Sequence, residues 1–261
     1  MVSQTKSVMD LFSLDGHVAM VVGGSRGLGR AMAGALAEAG AATAICSRSR
    51  DACDAAAAAI AEKTNRPSVG IAMDVTREED VDRAFEEVIS RFGKLDVLIN
   101  SAGINARHLI EDCPAETFRE VIDTNLGGCW LTCRAAARLM KPRRYGSVIN
   151  MGSALSSVAL PMRTPYCSSK FGLIGLTRAL ALEWAESGVR CNAICPGPFM
   201  TEMNRPLLDD PEKARAVVSQ TAMNRWGEIH EIVGAAVFLA SPASTYVTGA
   251  SLYVDGGWTA R

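Results

Sequence analysis

Tyr166 and Lys170 stand four residues apart in Pro165-Tyr166-Cys167-Ser168-Ser169-Lys170. On a helix that spacing stacks both side chains on one face. A phenol beside a permanent ammonium can give a proton to an oxygen and take it back. At about 4 Å and an effective dielectric of about 20, the ammonium stabilises a phenolate by roughly 4 kcal/mol. Taken alone, the pair has a plain alternative, a buried Tyr beside a solvated Lys, because this spacing arises by chance in many helices. Two further residues bear on it. Ser153 follows an apolar strand thirteen residues before Tyr166, near the mouth into which the phenol would project. Asn125 sits inside a helical pattern at Asp123-Thr124-Asn125-Leu126-Gly127-Gly128, where Asn and Gly lower helix propensity and mark a break.

A second cluster lies near the N-terminus. Gly23, Ser25, Arg26, Gly27, Leu28 and Gly29 form a G-x-x-x-G-x-G turn between an apolar strand and an Ala-rich helix. In that position the turn's amides and the helix dipole make a phosphate cradle, although tight packing alone also calls for glycine. The end of the second strand reads Cys46-Ser47-Arg48, with no carboxylate. Ser47, Arg48 and Arg26 suit a ribose 2′-phosphate through charge-assisted bonds, so the expected cofactor is NADP(H). The alternative for Arg48 is a solvated residue at a helix start. Asp74-Val75 and Asn100-Ser101-Ala102-Gly103 come at the carboxyl ends of later strands, where ligands of such sheets bind. Asp74 either accepts from an adenine amine or caps the next helix. Gly103 would let a cofactor approach closely.

The elements that must position these groups alternate in type. Apolar strands are expected at 17–22, 42–46, 69–73, 96–99, 147–151, 189–194 and 249–254. Helices are expected from the glycine turn to Ala39 and over 51–63, 77–91, 116–140, 165–186 and 228–240, with 1–15 a short arm. Such alternation predicts right-handed β-α-β units: an α/β, doubly wound (Rossmann), mostly parallel sheet with helices on both faces. No linker or composition shift divides the 261 residues, so a single domain is expected. Basic and acidic residues nearly balance at 27 and 28, which gives no support to a nucleic-acid or anionic-membrane partner. The expected partner is a small molecule. No apolar run is long enough for a membrane span, and the first ten residues lack a signal peptide's apolar core. The eight cysteines include no C-x-x-C pair and the three histidines lie far apart. Reduced thiols in a cytoplasmic protein are therefore expected, with no metal site.

These motifs, in this order and spacing, resemble the short-chain dehydrogenase/reductase family in its single-domain branch, from Gly23 to the closing Tyr253-Val254-Asp255-Gly256-Gly257. The resemblance implies a seven-stranded sheet and a catalytic tetrad falling on Asn125, Ser153, Tyr166 and Lys170. It implies that Tyr166 is the acid/base, that Lys170 assists it and holds the nicotinamide ribose, and that Ser153 orients the substrate oxygen. It gives Asn125 a water linking Lys170 to solvent, and it puts Pro196, Gly197 and Thr201 against the nicotinamide. A homotetramer is also implied. Two positions depart from the family pattern: Val22 where Thr is usual, and Ser101 where a second Asn is usual.

Competing readings lack their own marks. A sugar-nucleotide epimerase of the extended branch would need G-x-x-G-x-x-G and a larger carboxyl-terminal domain. A serine hydrolase would need G-x-S-x-G, whereas Ser153 sits in Gly152-Ser153-Ala154-Leu155. A non-catalytic NADP-binding sensor would have lost Tyr166 or Lys170. For substrate, Gly103-Ile104-Asn105, Asn224-Arg225-Trp226-Gly227 and Val254-Asp255-Gly256-Gly257-Trp258 resemble gluconate 5-dehydrogenases and related polyol or sugar-acid reductases. The 3-oxoacyl-carrier-protein reductases are nearly as similar. The segment 198–221 is a candidate lid, its Phe199, Met200, Leu207 and Leu208 serving either closure or local packing. Arg107, His108 and Arg163 could face the pocket mouth, with either Arg a carboxylate binder or a surface residue.

Overall fold

Strand β1 (Val18–Val22) is apolar and buried at every position, as a strand covered on both faces must be. In the computed structural model, which describes residues 7–260, it is an interior strand of a seven-stranded sheet, third from one edge. The others are β2 (Ala42–Ser47), β3 (Ser68–Ala72), β4 (Val97–Asn100), β5 (Gly146–Met151), β6 (Val189–Pro196) and β7 (Ser251–Val254). Every pairing is parallel, in the order β3-β2-β1-β4-β5-β6-β7. The helices are α1 (Gly27–Glu38), α2 (Arg50–Thr64), α3 (Glu78–Phe92), α4 (Ala115–Ile122), α5 (Gly128–Arg143), α6 (Thr164–Trp184), α7 (Arg205–Leu208), α8 (Pro211–Val218) and α9 (Val233–Ala240).

The pleat sorts the core into two layers. Val18, Met20 and Val22 pack with Phe85 of α3, Cys133 of α5 and Leu173 of α6. Ala19 and Val21 pack on the other face with Met32 and Leu36 of α1, Ile60 of α2 and Leu239 of α9. All eight cysteines are free, and burial pushes the Cys46, Cys191 and Cys195 thiols above their usual range.

Four expectations are revised. The helix expected over 116–140 is two helices, α4 and α5, joined by a π-helical turn at Asp123–Gly127. The helix expected over 228–240 opens as a 3₁₀ turn, Ile229–Ile232, before α9. The last strand starts at Ser251, because Gly249 is in the left-handed region at φ +74°. Of the expected arm, residues 1–6 lie outside the described residues, and its end is packed: Leu14 is fully buried and its N–H donates to the Ala39 carbonyl at 2.7 Å.

One charged group is locked at the amino ends of β1 and β4. The Asp96 side chain is 2% exposed and accepts from the Val18 amide, Lys94 Nζ and Arg143 NH2, each at 2.8–2.9 Å. Burial opposes its ionisation, but the two cations and the amide outweigh it and hold the carboxyl below its usual range. Asp96→Ala is expected to cost about 2–3 kcal/mol in denaturant unfolding, less than a sealed ion pair because both cations are 37% exposed and can rehydrate. A folded value below the unfolded one means the contribution is complete above the ordinary carboxylate pKa of about 3.9 and fades as pH falls below it. The wild-type advantage over the variant should therefore shrink in acid.

Candidate active site

The chain runs outward in opposite directions from β1 and β4, so the loops leaving their carboxyl ends part and open a crevice. The glycine turn forms one wall. The Gly23 and Gly24 amides both donate to the Cys46 carbonyl, at 2.7 and 3.2 Å. Gly23 has φ +76°, and a Cβ there would lie 2.6 Å from the Ala102 nitrogen. A Cβ on Gly29 would collide with the Gly23 carbonyl. Gly27, by contrast, has no neighbour within 4 Å of its Cβ position and faces open space. The Gly27, Leu28 and Gly29 amides open α1 ahead of its first return bond, from the Arg30 N–H to the Arg26 carbonyl at 3.2 Å. Free amides, an approach clear of side chains and a helix dipole fit a dinucleotide's phosphates.

Around that cradle the expected residues divide. Arg26 and Arg48 are exposed, and Arg26 meets Glu202 at 3.6 Å. The Ser47 hydroxyl turns instead toward α2, 3.0 Å from the Cys53 sulfur. Asp74 accepts through Oδ1 from both the amide and hydroxyl of Thr76, so it closes its own turn; the residue that precedes α3 is Arg77. Val75 packs beneath Gly128, where a Cβ would come within 2.7 Å of its Cγ2. Asn100 needs the clearest revision. Its side chain points into the core, donating to Asn150 Oδ1 at 2.9 Å and Cys133 Sγ at 3.4 Å and accepting from Thr132 at 2.8 Å. A cofactor would meet the backbone there.

The opposite wall carries the reactive types. α6 begins with Pro165 in its first turn, as a Pro-started helix should, and stacks Tyr166 over Lys170. Lys170 Nζ lies 5.6 Å from the Tyr166 ring centroid. This ammonium is on a residue only 5% exposed, and its one protein hydrogen-bond partner among the described residues is the Met151 carbonyl at 2.6 Å. No carboxylate among the described residues pairs with it. The Tyr166 hydroxyl has no protein hydrogen bond among the described residues. Ser153 caps the 3₁₀ turn Ala154–Ser156, its oxygen accepting from the Leu155 amide at 3.1 Å, which leaves its own O–H to donate.

Asn125 explains the π-helical turn. Its amide donates to the Ile104 carbonyl and Ser169 hydroxyl, both at 3.0 Å, and its oxygen accepts from the Ile104 N–H at 2.8 Å. The side chain thus fastens the loop after β4 to α6 and keeps one lone pair, which a water can use. A Cβ on Gly103 would lie 3.2 Å from Asn125 Oδ1 and 3.8 Å from Lys170 Nζ, so these three converge.

The mouth is closed by two more segments. His108 and Arg163 form a β-bridge, with the His108 N–H donating to the Met162 carbonyl at 3.2 Å. Gly197 presses on Asp255, where a Cβ would lie 2.6 Å from its Cα. Past Pro196 and Gly197, the 198–221 segment is held at its root by Phe199–Gly227 bridging and by the Met200 N–H to the Gly227 carbonyl at 3.1 Å. Thr201 opens a 3₁₀ turn there, and α7 and α8 follow. Sequence reasoning missed Asn150, Ser169 and the Met151 carbonyl. An Asn amid the apolar residues of β5 was the only local signal.

The family model described as enoyl-(acyl carrier protein) reductase matches residues 22–259. A gluconate 5-dehydrogenase of Gluconobacter oxydans (strain 621H) is 36% identical over 96% of this chain and 97% of its own. A 3-oxoacyl-[acyl-carrier-protein] reductase of Vibrio harveyi is also 36% identical, over 94% and 98%. The crystal structure of a gluconate 5-dehydrogenase from Burkholderia cenocepacia J2315 in complex with NADP and tartrate is 36% identical, with a TM-score of 0.94 over 98% of this chain and 100% of that one.

Proposed function

This chain belongs to the short-chain dehydrogenase/reductase family, and on that premise we propose that it interconverts a sugar-acid ketone and its secondary alcohol with NADP(H). The observation that carries the reading is the pairing of a Tyr166 hydroxyl with a buried Lys170 ammonium, the first without a protein hydrogen bond and the second without a carboxylate partner among the described residues. In reduction Tyr166 gives its proton to the carbonyl oxygen; in oxidation its phenolate takes the alcohol proton. Lys170 supplies positive charge to the phenolate form. Ser153 donates its O–H to the same oxygen and so orients the carbonyl carbon. Asn125 acts by position, holding the Ile104 loop against α6 and keeping one acceptor for a water beside Lys170.

NADP(H), when bound, supplies or takes up the hydride. The residues that would hold it are the amides of Gly27, Leu28 and Gly29, the guanidinium groups of Arg26 and Arg48, and Lys170. The backbones of Ser25, Asn100, Ala102 and Gly103, with Ser47, Asp74 and Val75, would line its adenosine and ribose side. Pro196, Gly197 and Thr201 would line its nicotinamide end. The 198–221 segment would close over the substrate, excluding water from the exchange.

Substrate choice is supported by two relatives named for gluconate oxidation, one in complex with NADP and tartrate. A substrate panel run with NADPH and NADH in parallel tests the whole reading. The expected result is NADPH-dependent reduction of 5-ketogluconate. Comparable efficiency with NADH would remove the 2′-phosphate assignment, and far faster turnover of an acetoacetyl thioester would replace the substrate. A homotetramer is supported by Phe118 on α4, Trp130 on α5 and Phe171 and Leu182 on α6, large apolar side chains exposed in the single chain. A light-scattering mass of four 27.7 kDa chains is expected. Free thiols support a cytoplasmic location, which fractionation checks.

A further inference from the structure

We infer that Arg163 is the residue that recognises the carboxylate of the substrate, an inference that rests on the sugar-acid reading of the same pocket. Arg163 immediately precedes α6, three residues before Tyr166. Its NH1 atom is buried and has no hydrogen-bond partner among the described residues. Its side chain makes no hydrogen bond or ion pair among the described residues. Buried donors are almost always satisfied, so an orphaned guanidinium nitrogen beside a candidate active site calls for a partner from outside the chain. Arg190 provides the internal contrast. That guanidinium is also partly buried, but it donates to the carbonyls of Val247 at 3.3 Å and Leu239 at 2.8 Å, as a structural arginine does.

The position is held rather than incidental. The His108–Arg163 bridge and the His108–Met162 hydrogen bond of 3.2 Å fix the backbone on either side. Met162 is kept at φ +62°, a conformation that a side-chain-bearing residue adopts only where its surroundings impose it. Burial, and after it the like charge of Arg107, hold the Arg163 guanidinium below the usual arginine range, and Tyr166 lies within electrostatic reach. Arginine remains charged under such pressure. Two cations are thus drawn together at the mouth, and neither has an acidic partner among the described residues. A carboxylate relieves both problems at once. Its two oxygens match the guanidinium fork, and its charge offsets the pair. An uncharged hydroxyl would fill one donor and leave the charge.

The test compares wild type with Arg163→Met and Arg163→Lys, first checking by NADPH fluorescence titration that cofactor affinity is unchanged. With 5-ketogluconate, Arg163→Met is expected to raise KM by about 10- to 100-fold with kcat within about threefold, the size of one lost charge-assisted pair. KM for an uncharged ketose such as fructose should not move, and Arg163→Lys should recover part of the loss. Equal KM changes for acid and ketose, or none for the acid, overturn the inference. A second readout needs no turnover. Tartrate should raise the melting temperature of the NADPH-loaded wild type and not that of NADPH-loaded Arg163→Met. If wild type reduces no sugar acid, the substrate reading falls while the tartrate comparison still decides the site. A tartrate response equal in both proteins, or absent from wild type, overturns it. Should Arg163→Met fail to bind NADPH, Arg163→Lys carries both comparisons, with an intermediate KM expected.

Discussion

Tyr166→Phe should lower kcat by about 10³-fold while leaving NADPH affinity within about twofold of wild type and the melting temperature unchanged. The magnitude is that of removing a positioned general acid/base, typically about 10²- to 10⁴-fold. The unchanged stability follows from the structure. The Tyr166 hydroxyl has no protein hydrogen bond among the described residues, so its loss orphans no buried group. The ring keeps its place above Lys170, with the ammonium 5.6 Å from its centroid. Stopped-flow or steady-state turnover measured beside a fluorescence titration checks both halves. Near-normal kcat would remove Tyr166 from the chemistry, and a parallel loss of cofactor binding would make its role structural.

The second large effect is expected at Gly23. In Gly23→Ala, a residue held at φ +76° pays about 1–2 kcal/mol for its side chain. The new Cβ also lies 2.6 Å from the Ala102 nitrogen and 2.7 Å from the Ser101 carbonyl carbon. These are backbone atoms of the loop leaving β4, which cannot rotate away as a side-chain tip can. The turn and that loop must separate, and they form adjacent walls of the cofactor crevice. We expect a loss of about 3 kcal/mol in stability, a melting temperature lower by about 6–12 °C, and NADPH binding weaker by about 100-fold. Gly27→Ala supplies the control. It has the same sign of φ, +56°, but no atom within 4 Å of its Cβ position. It should lose about 1–2 kcal/mol, the strain alone. Equal thermal losses in the two variants would show that strain, not close approach, sets the cost at Gly23.

Much of the sheet was legible because its strands are buried on both faces. Val18–Val22 and 97–99 read as unbroken apolar runs, and Gly23 ends the first of them. The Tyr166–Lys170 stack was legible because helical spacing is local. The break at Asn125 was visible in composition, though not its form as a π-helical turn, which depends on Ile104 and Ser169 from other segments. What escaped local pattern was strand register. Asn150 lies directly across from Asn100 in the β4–β5 pairing, and that adjacency turns Asn100 into the core, where a strand-end position had suggested a cofactor contact. Ser47 is redirected in the same way, by the Cys53 sulfur on α2. The carbonyl that holds Lys170 belongs to Met151, and no side-chain motif can announce a carbonyl.

The raised, buried thiols have a consequence for how the protein ages. Alkylation and peroxide attack proceed through the thiolate, and Cys46, Cys191 and Cys195 are sealed from solvent and hold their protons. Modification of these sulfurs must wait for the surrounding layer to open. Cys46 lies between β1 and β3, and Cys191 and Cys195 lie on β6, so their labelling rates would time the loosening of the sheet's two halves separately. The cysteines that look like a liability in the composition are clocks set by the fold's own breathing.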